Sequence, residues 1–119
     1  NDDGWEQSFI DWLRESNFNN NDALLILSVG GGDKDKKISM NIIFAMSLAE
    51  KLKAKILGIV GRDGGETKKR ADICVLIPNL YPLLITPIVE SMQSIILHTI
   101  VFHPTLQINK GKWESIDQK

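Results

Sequence analysis

The residues best suited to chemistry are Ser28-Val29-Gly30-Gly31-Gly32, at the end of the apolar run Ala23-Leu24-Leu25-Ile26-Leu27. A buried strand that passes through glycines into a helix is an arrangement that holds phosphate in α/β proteins. The glycines let backbone N–H groups approach an anion. The following helix adds its own unpaired N–H groups and the positive end of its dipole. That helix is expected to begin at Ser39, whose hydroxyl can cap it or meet the same phosphate. The plainer use of such a loop is a tight turn between packed elements. Asp33-Lys34-Asp35-Lys36-Lys37 reads as a solvated loop tip, or as a source of one lysine for the anion. A second glycine loop, Gly61-Arg62-Asp63-Gly64-Gly65, either shapes the rim of a site or is a turn that needs positive φ.

Farther along, Glu90 and His98 stand eight positions apart in a helical stretch. An imidazole titrates near neutral pH, so His98 suits a proton carrier. It equally suits a histidine packed on an apolar helix. Glu90 could serve as a base, as a metal ligand, or as an acid that complements the helix dipole. Eight residues of straight helix span roughly 12 Å, so the two cannot ligate one metal from the same unbroken helix. Either the helix starts after Glu90, or the two serve different sites, for instance across a subunit interface. His103 precedes Pro104 and reads as a helix-end residue. His98 and His103 lack the i, i+4 spacing of a helical metal pair. Lys68, Lys69 and Arg70 read as a solvated patch.

The elements that must position these residues alternate between strand and helix. Trp5, Phe9, Trp12 and Leu13 recur at helical spacing and predict the inner face of a first helix. Ala23 to Val29 is a continuous apolar run, as for a strand covered on both faces. Ser39 to Lys53 reads as an amphipathic helix with Ile42, Ile43, Met46 and Leu48-Ala49 inward. Lys55 to Val60 and Asp72 to Ile77 read as strands, with only a loop between them. Pro82 and Pro87 bracket an irregular entry to a long helix that ends near Phe102, before Pro104. Beyond Thr105 only Trp113 could anchor a tail. Alternation of this kind predicts an α/β fold with parallel strands, and ligands at their carboxyl ends, where both glycine loops fall.

The 119 residues suffice for one domain or part of one, and an apolar share of 43% excludes a disordered chain. Fifteen acids against 14 basic residues create no field toward nucleic acid or a membrane. Cys74 is the only cysteine, which rules out an internal disulfide and suits a reducing cytoplasm. Within Ile73-Cys74-Val75-Leu76-Ile77 it reads as a small buried hydrophobe. Ile95 to Val101 is too short to span a bilayer. No G-x-G-x-x-G follows a strand, so no nucleotide is expected.

Four features together resemble the sugar isomerase (SIS) domain and, within it, the phosphoheptose isomerase group. The opening Asn1-Asp2-x-Gly4-Trp5 is similar to that group's Asn-Asp-x-Gly-aromatic segment. Ser28-Val29-Gly30-Gly31 stands where the family has its Ser-Thr-Ser-Gly phosphate loop, closed by a second serine at Ser39. Gly61-Arg62-Asp63-Gly64-Gly65 is similar to its Gly-Lys-Asp-Gly-Gly loop. Glu90 and His98 match the spacing of a Gln and a His in its last helix. The resemblance runs from Asn1 to about Pro104. It implies a three-layer αβα, flavodoxin-like SIS domain, here the C-terminal portion with about three strands, in one partial domain with a tail over 105–119.

By resemblance the activity is interconversion of sedoheptulose 7-phosphate and D-glycero-D-manno-heptose 7-phosphate through an enediol. The alternative is a non-catalytic sugar-phosphate-binding module that senses or regulates. Asn1, Asp2, Ser28, Val29, Gly30, Gly31, Ser39 and Asp63 are the implied substrate and phosphate residues. His98 and Glu90 are the implied catalytic residues and, with zinc as the implied divalent metal, its ligands. The implied assembly is a cytoplasmic homo-oligomer, dimer or tetramer, with active sites between subunits. Val29 and Gly30 in place of hydroxyls, the inserted charged run and Glu90 in place of glutamine depart from the family pattern. The resemblance places the first residue midway through the family's domain, after the segment that would hold its base and metal residues.

Overall fold

A computed structural model of the chain describes residues 4–109; Asn1, Asp2 and Trp113 lie outside them. A 3-10 turn, Trp5–Gln7, leads into α1 (Ser8–Glu15). Then follow β1 (Ala23–Ser28), α2 (Met40–Leu52), β2 (Lys55–Val60), α3 (Gly65–Arg70) and β3 (Ile73–Leu76). A second 3-10 turn, Pro82–Leu84, opens α4 (Ile85–Val101). The three strands form a parallel sheet in the order β1-β2-β3. Ala23 pairs with Lys55 through to Ser28 with Val60, and Leu57 pairs with Ile73.

The side-chain alternation of β2 decides which helix covers which face. Ile26 and Ile56 face α2 and pack with Ile43, Met46 and Ala49. Ile59 points the other way and packs with Ile77 and with Val89 of α4. The result is the expected αβα layering around a central β2. Two carbonyls extend the alignment past the strands: Gly61 N–H donates to Val29 O at 3.1 Å and Ile77 N–H to Val60 O at 2.8 Å. The loops after β1 and β2 therefore leave the sheet at the same level.

Several expectations are corrected. The sequence predicts only a loop between β2 and β3, but α3 forms there, because the carbonyls of the first glycine loop accept its first free amides. Arg70 belongs to no solvated patch. Its guanidinium donates to both carboxylate oxygens of Glu50, at 2.8 and 2.7 Å, and to Ser47 Oγ at 2.9 Å, pinning α3 to α2. α2 begins at Met40, and Ser39 sits at φ +54° with no side-chain cap hydrogen bond. Its carbonyl, not its hydroxyl, makes the first contacts, accepting from Ile42 and Ile43 N–H.

Coverage of the strands is also less than expected. β2 is enclosed, but Leu25 and Leu27 of β1 and Ile73 and Val75 of β3 are exposed, while α4 packs on Ile59 of β2 and on Val29 and Ile77 just past the outer strands. Of the first helix's apolar face only Leu13 is buried. Trp5 and Trp12 stay 75% and 65% exposed beside the free edge of β1, with no element of the described chain to cover them. Pro82–Val101, 20 residues with mean hydropathy 1.4, is long and apolar enough to cross a membrane by length and composition, unlike the shorter segment Ile95 to Val101. In this fold it is laid on β2 by Val89 and by Gln93, whose Nε2 donates to Ile59 O at 2.7 Å.

The Glu50–Arg70 pair generates an acid-stability expectation. The hydrogen bond from Arg70 holds the Glu50 carboxyl below its ordinary 4.5. A depressed folded value means the contribution is complete above the unfolded pKa and is lost as pH falls through the lower folded one. Glu50→Gln is expected to lower stability by about 0.5–1 kcal/mol at neutral pH, a figure discounted for the solvent exposure of Glu50. The gap between wild type and variant should close on acidification to about pH 3. Urea unfolding at the two pH values measures both.

Candidate functional site

The two glycine loops are bound to each other. Gly31 O accepts Thr67 N–H at 2.9 Å and Thr67 Oγ1–H at 2.8 Å, and Gly32 O accepts Glu66 N–H at 2.9 Å. Such close approach requires bare backbone on both sides. A Cβ at Gly31, φ +73°, would strike Gly64 O, and one at Gly65 would strike Gly30 O and Gly32 O. These glycines serve the approach of one loop to the other, not only that of an anion. Side chains finish the arrangement: Ser28 Oγ accepts Gly31 N–H at 3.0 Å and Asp63 Oδ1 accepts Gly65 N–H at 3.1 Å.

In front of the joined loops lies an open cleft of about 1330 Å³ at the carboxyl edge of the sheet. Ser28, Val29, Gly30, Gly32 and Ser39 line it from one side, and Arg62, Asp63, Glu66, Lys68 and Lys69 from the other. Asn79, Ile85 and Thr86 close the far wall. Among the described residues, the amides of Gly30, Gly32 and Ser39 donate to no protein acceptor. Unpaired amides beside the amino end of α2 suit an anion.

The inserted run is not a free tip. Asp33 and Ile38 exchange both backbone hydrogen bonds, at 3.0 and 2.9 Å, which closes the insert on itself. Asp33 Oδ1 accepts Lys36 N–H at 2.9 Å, and the Lys36 ammonium lies 3.4 Å from Asp33 Oδ2. These bonds, led by the backbone one, hold the Asp33 carboxyl below its usual range. Asp33, Asp35 and Lys36 thereby become part of the cleft wall. Glu66 pairs with Lys69 at 2.8 Å and pushes that ammonium's pKa up. Arg62 and Lys68 have no acidic partner among the described residues.

Of the residues singled out in the sequence, Ser28, Val29, Gly30, Ser39 and Asp63 converge on the cleft. Gly31 lies behind it, in the loop contact. Asn1 and Asp2 fall outside the described residues. Glu90 and His98 do not line the cleft; both are exposed on α4. α4 runs unbroken from Ile85, so a helix starting after Glu90 is ruled out, and Glu90 sits beyond the first turn, where the dipole acts weakly. The described residues contain no group of three or more His, Cys, Asp or Glu that could hold a metal. Cys74 is half-buried and burial pushes its thiol pKa up, as suits a packing residue. His103 Nδ1 accepts Thr105 N–H at 3.2 Å, closing the turn after α4. Thr67 and Gln93 are positions with no signal in the sequence: Gln93 is one of several polar residues along α4, and nothing local marks it as the buried one.

No protein-family model matches the chain. Phosphoheptose isomerase from Aliarcobacter butzleri is 32% identical over 100 residues, which cover 84% of this chain and 47% of that protein. The phosphoheptose isomerase of Buchnera aphidicola is 37% identical over 78 residues, 66% of this chain and 37% of that protein. Lincomycin biosynthesis protein LmbN of Streptomyces lincolnensis is 30% identical over 78 residues, covering 66% of this chain and 28% of that protein. Among solved structures, phosphoheptose isomerase GmhA from Neisseria gonorrhoeae superposes with a TM-score of 0.69 at 22% identity. That match covers 83% of this chain and 50% of the other, and shows a shared fold. The phosphoheptose isomerase of Francisella tularensis superposes with a TM-score of 0.56 at 25% identity, over 80% of this chain and 52% of the other. The chain spans less than half the length of these curated relatives.

The loop contact makes opposite demands on neighbouring glycines. Gly31→Ala is expected to cost roughly 2–4 kcal/mol, because it adds both positive-φ strain and a backbone clash. At Gly30 the nearest atom to an added Cβ is Arg62 Cδ at 3.8 Å, so Gly30→Ala should stay within about 0.5 kcal/mol of wild type. Chemical denaturation of the two variants checks the contrast.

Proposed function

The chain belongs to the phosphoheptose isomerase, SIS-like family, and from that premise we propose that it carries the phosphate-binding part of a phosphosugar isomerase site. The observation that carries this reading is the set of unpaired amides at Gly30, Gly32 and Ser39, three residues that line one cleft with Arg62 and Lys68. Backbone donors with two unpartnered cations recognise a phosphate monoester. The proposed substrate is sedoheptulose 7-phosphate and the product D-glycero-D-manno-heptose 7-phosphate. The reaction moves a proton from C1 to C2 through an enediol while a second proton passes between the oxygens, so it needs a base, a proton carrier and a grip on the phosphate.

The cleft supplies the grip. Three of the four carboxylates on its wall are engaged, Asp33 with Lys36, Glu66 with Lys69, and Asp63 with Gly65 N–H, while Asp35 has no side-chain partner among the described residues. In this proposal His98 is the proton carrier of a site completed by further residues. Glu90 and His98, on one unbroken helix, could each give at most one ligand to the zinc implied by resemblance. The rest of such a set would come from outside the described residues. The same separation of cleft from His98 favours, for this chain alone, the second reading of a sugar-phosphate-binding module without turnover.

The proposed assembly is a cytoplasmic homo-oligomer built through α4. Its outward face carries Ile95 at 58% exposure and Val101 at 57%, with Met92, Ile100 and Phe102 also exposed. Ile96 instead packs inward beside Val89, so a charge there would disturb the core.

Calorimetric titration with sedoheptulose 7-phosphate is expected to show saturable binding by the 119-residue chain, without isomerisation. Absence of binding would overturn the phosphate reading, and turnover would show that the residues here suffice for catalysis. In an assembly that does turn over, His98→Ala should lower kcat by about two to four orders of magnitude; a loss below about tenfold assigns His98 to packing. Light scattering at micromolar concentration should show association that Ile95→Glu abolishes, and a monomeric wild type would refute the α4 interface.

A further inference from the structure

We propose that Thr67 is a positioning residue that aims the anion-binding amide of Gly32 into the cleft; this rests on the phosphate reading above. Thr67 is completely buried. Its N–H and its hydroxyl converge on one acceptor, Gly31 O, at 2.9 and 2.8 Å. Gly31 O and Gly32 N–H belong to the same peptide unit, and in a trans peptide they point in opposite directions. Drawing the oxygen toward Thr67 therefore turns the N–H away from Thr67, and Gly32 lines the cleft.

This control is needed because the unit joins two glycines. Neither Gly31 nor Gly32 has a Cβ to bias the peptide, and both sit at positive φ, +73° and +80°. A flipped peptide would present a carbonyl oxygen, which repels an anion. Between Ser28 and Ser39 the loop has no hydroxyl at positions 29 and 30, which leaves more of its recognition of phosphate to backbone amides whose direction must be held. The two branches of Thr67 divide the work. Cγ2 packs over β2, where a Cβ on Gly58 would come within 2.6 Å of it, while Oγ1 reaches the loop. The neighbouring bond from Glu66 N–H to Gly32 O fixes the next peptide, whose Asp33 N–H is already given to Ile38 O. Among these bonds the Thr67 hydroxyl is the one that a side-chain substitution can remove.

The test is titration of inorganic phosphate into the 15N-labelled 119-residue chain, following the Gly30 and Gly32 amide resonances. Wild type should show saturable shifts at both. Thr67→Val keeps the branched shape and loses the donor, so phosphate affinity should fall by at least about tenfold, with most of the Gly32 shift lost. Thr67→Ser keeps the donor and loses the methyl, and should return affinity to within about threefold of wild type. Valine binding as tightly as wild type, or serine as weakly as valine, overturns the role of Thr67. Absence of a saturable shift in wild type overturns the phosphate reading itself, so the two failures are distinct. If the valine variant does not fold, Thr67→Ala replaces it against the same serine control, with the same two outcomes.

Discussion

Two carbonyl oxygens of the first glycine loop, on Gly31 and Gly32, accept three hydrogen bonds from Thr67 and Glu66 at the start of α3. That contact satisfies amides which a six-residue helix would otherwise leave to water. It also joins the ends of β1 and β2 into one surface. Its geometric condition is bare backbone at Gly31 and Gly65, and its depth depends on Gly58, which makes room for Thr67 beneath the loop. Both loops line the cleft, through Gly30 and Gly32 on one and Gly65 and Glu66 on the other. In the proposed function the same stretch of backbone therefore supports the fold and meets the anion.

Half of the charges around the cleft are engaged with each other. The insert closed by Asp33 and Ile38 brings an acid and a lysine that neutralise one another, and Glu66 does the same for Lys69. Arg62 and Lys68 are matched in number by Asp35 and Asp63 on the same wall, so what remains for a ligand is the unpaired amides of the loop with two cations that no acid engages directly. A site of this kind discriminates by geometry more than by net charge, since exposed charges attract at long range but are screened by salt. The Arg70–Glu50 pair, by contrast, faces away from the cleft and ties α3 to α2, so it acts on the site through the placement of α3 alone.

The sheet is enclosed only at its middle strand. α2 and α4 cover β2 from opposite faces, while apolar residues of β1, β3, α1 and α4 remain open to solvent. Burial of apolar surface is the main favourable term in folding, and this much exposed apolar surface marks faces made to be covered.

Local pattern carried much of this protein by itself. The apolar run after Asp22 and the alternation that follows predicted β1 and β2, and the periodicity of residues 39–53 predicted α2, because strand and helix periods are written into adjacent residues. The two glycine loops and their place at the carboxyl edge followed from the same alternation, and Ser28, Gly30, Ser39 and Asp63 do meet there. α3 was not legible: Gly64-Gly65 reads as a turn, and the carbonyls that complete its first turn lie more than thirty residues away. The burial of Thr67 and Gln93, the Arg70–Glu50 pair, and the exposure of Trp5 and Trp12 were likewise decided only by tertiary contact. A residue's neighbours along the chain set its local conformation, but what it faces depends on which distant backbone the fold brings within hydrogen-bonding reach and on which surfaces are left without a partner.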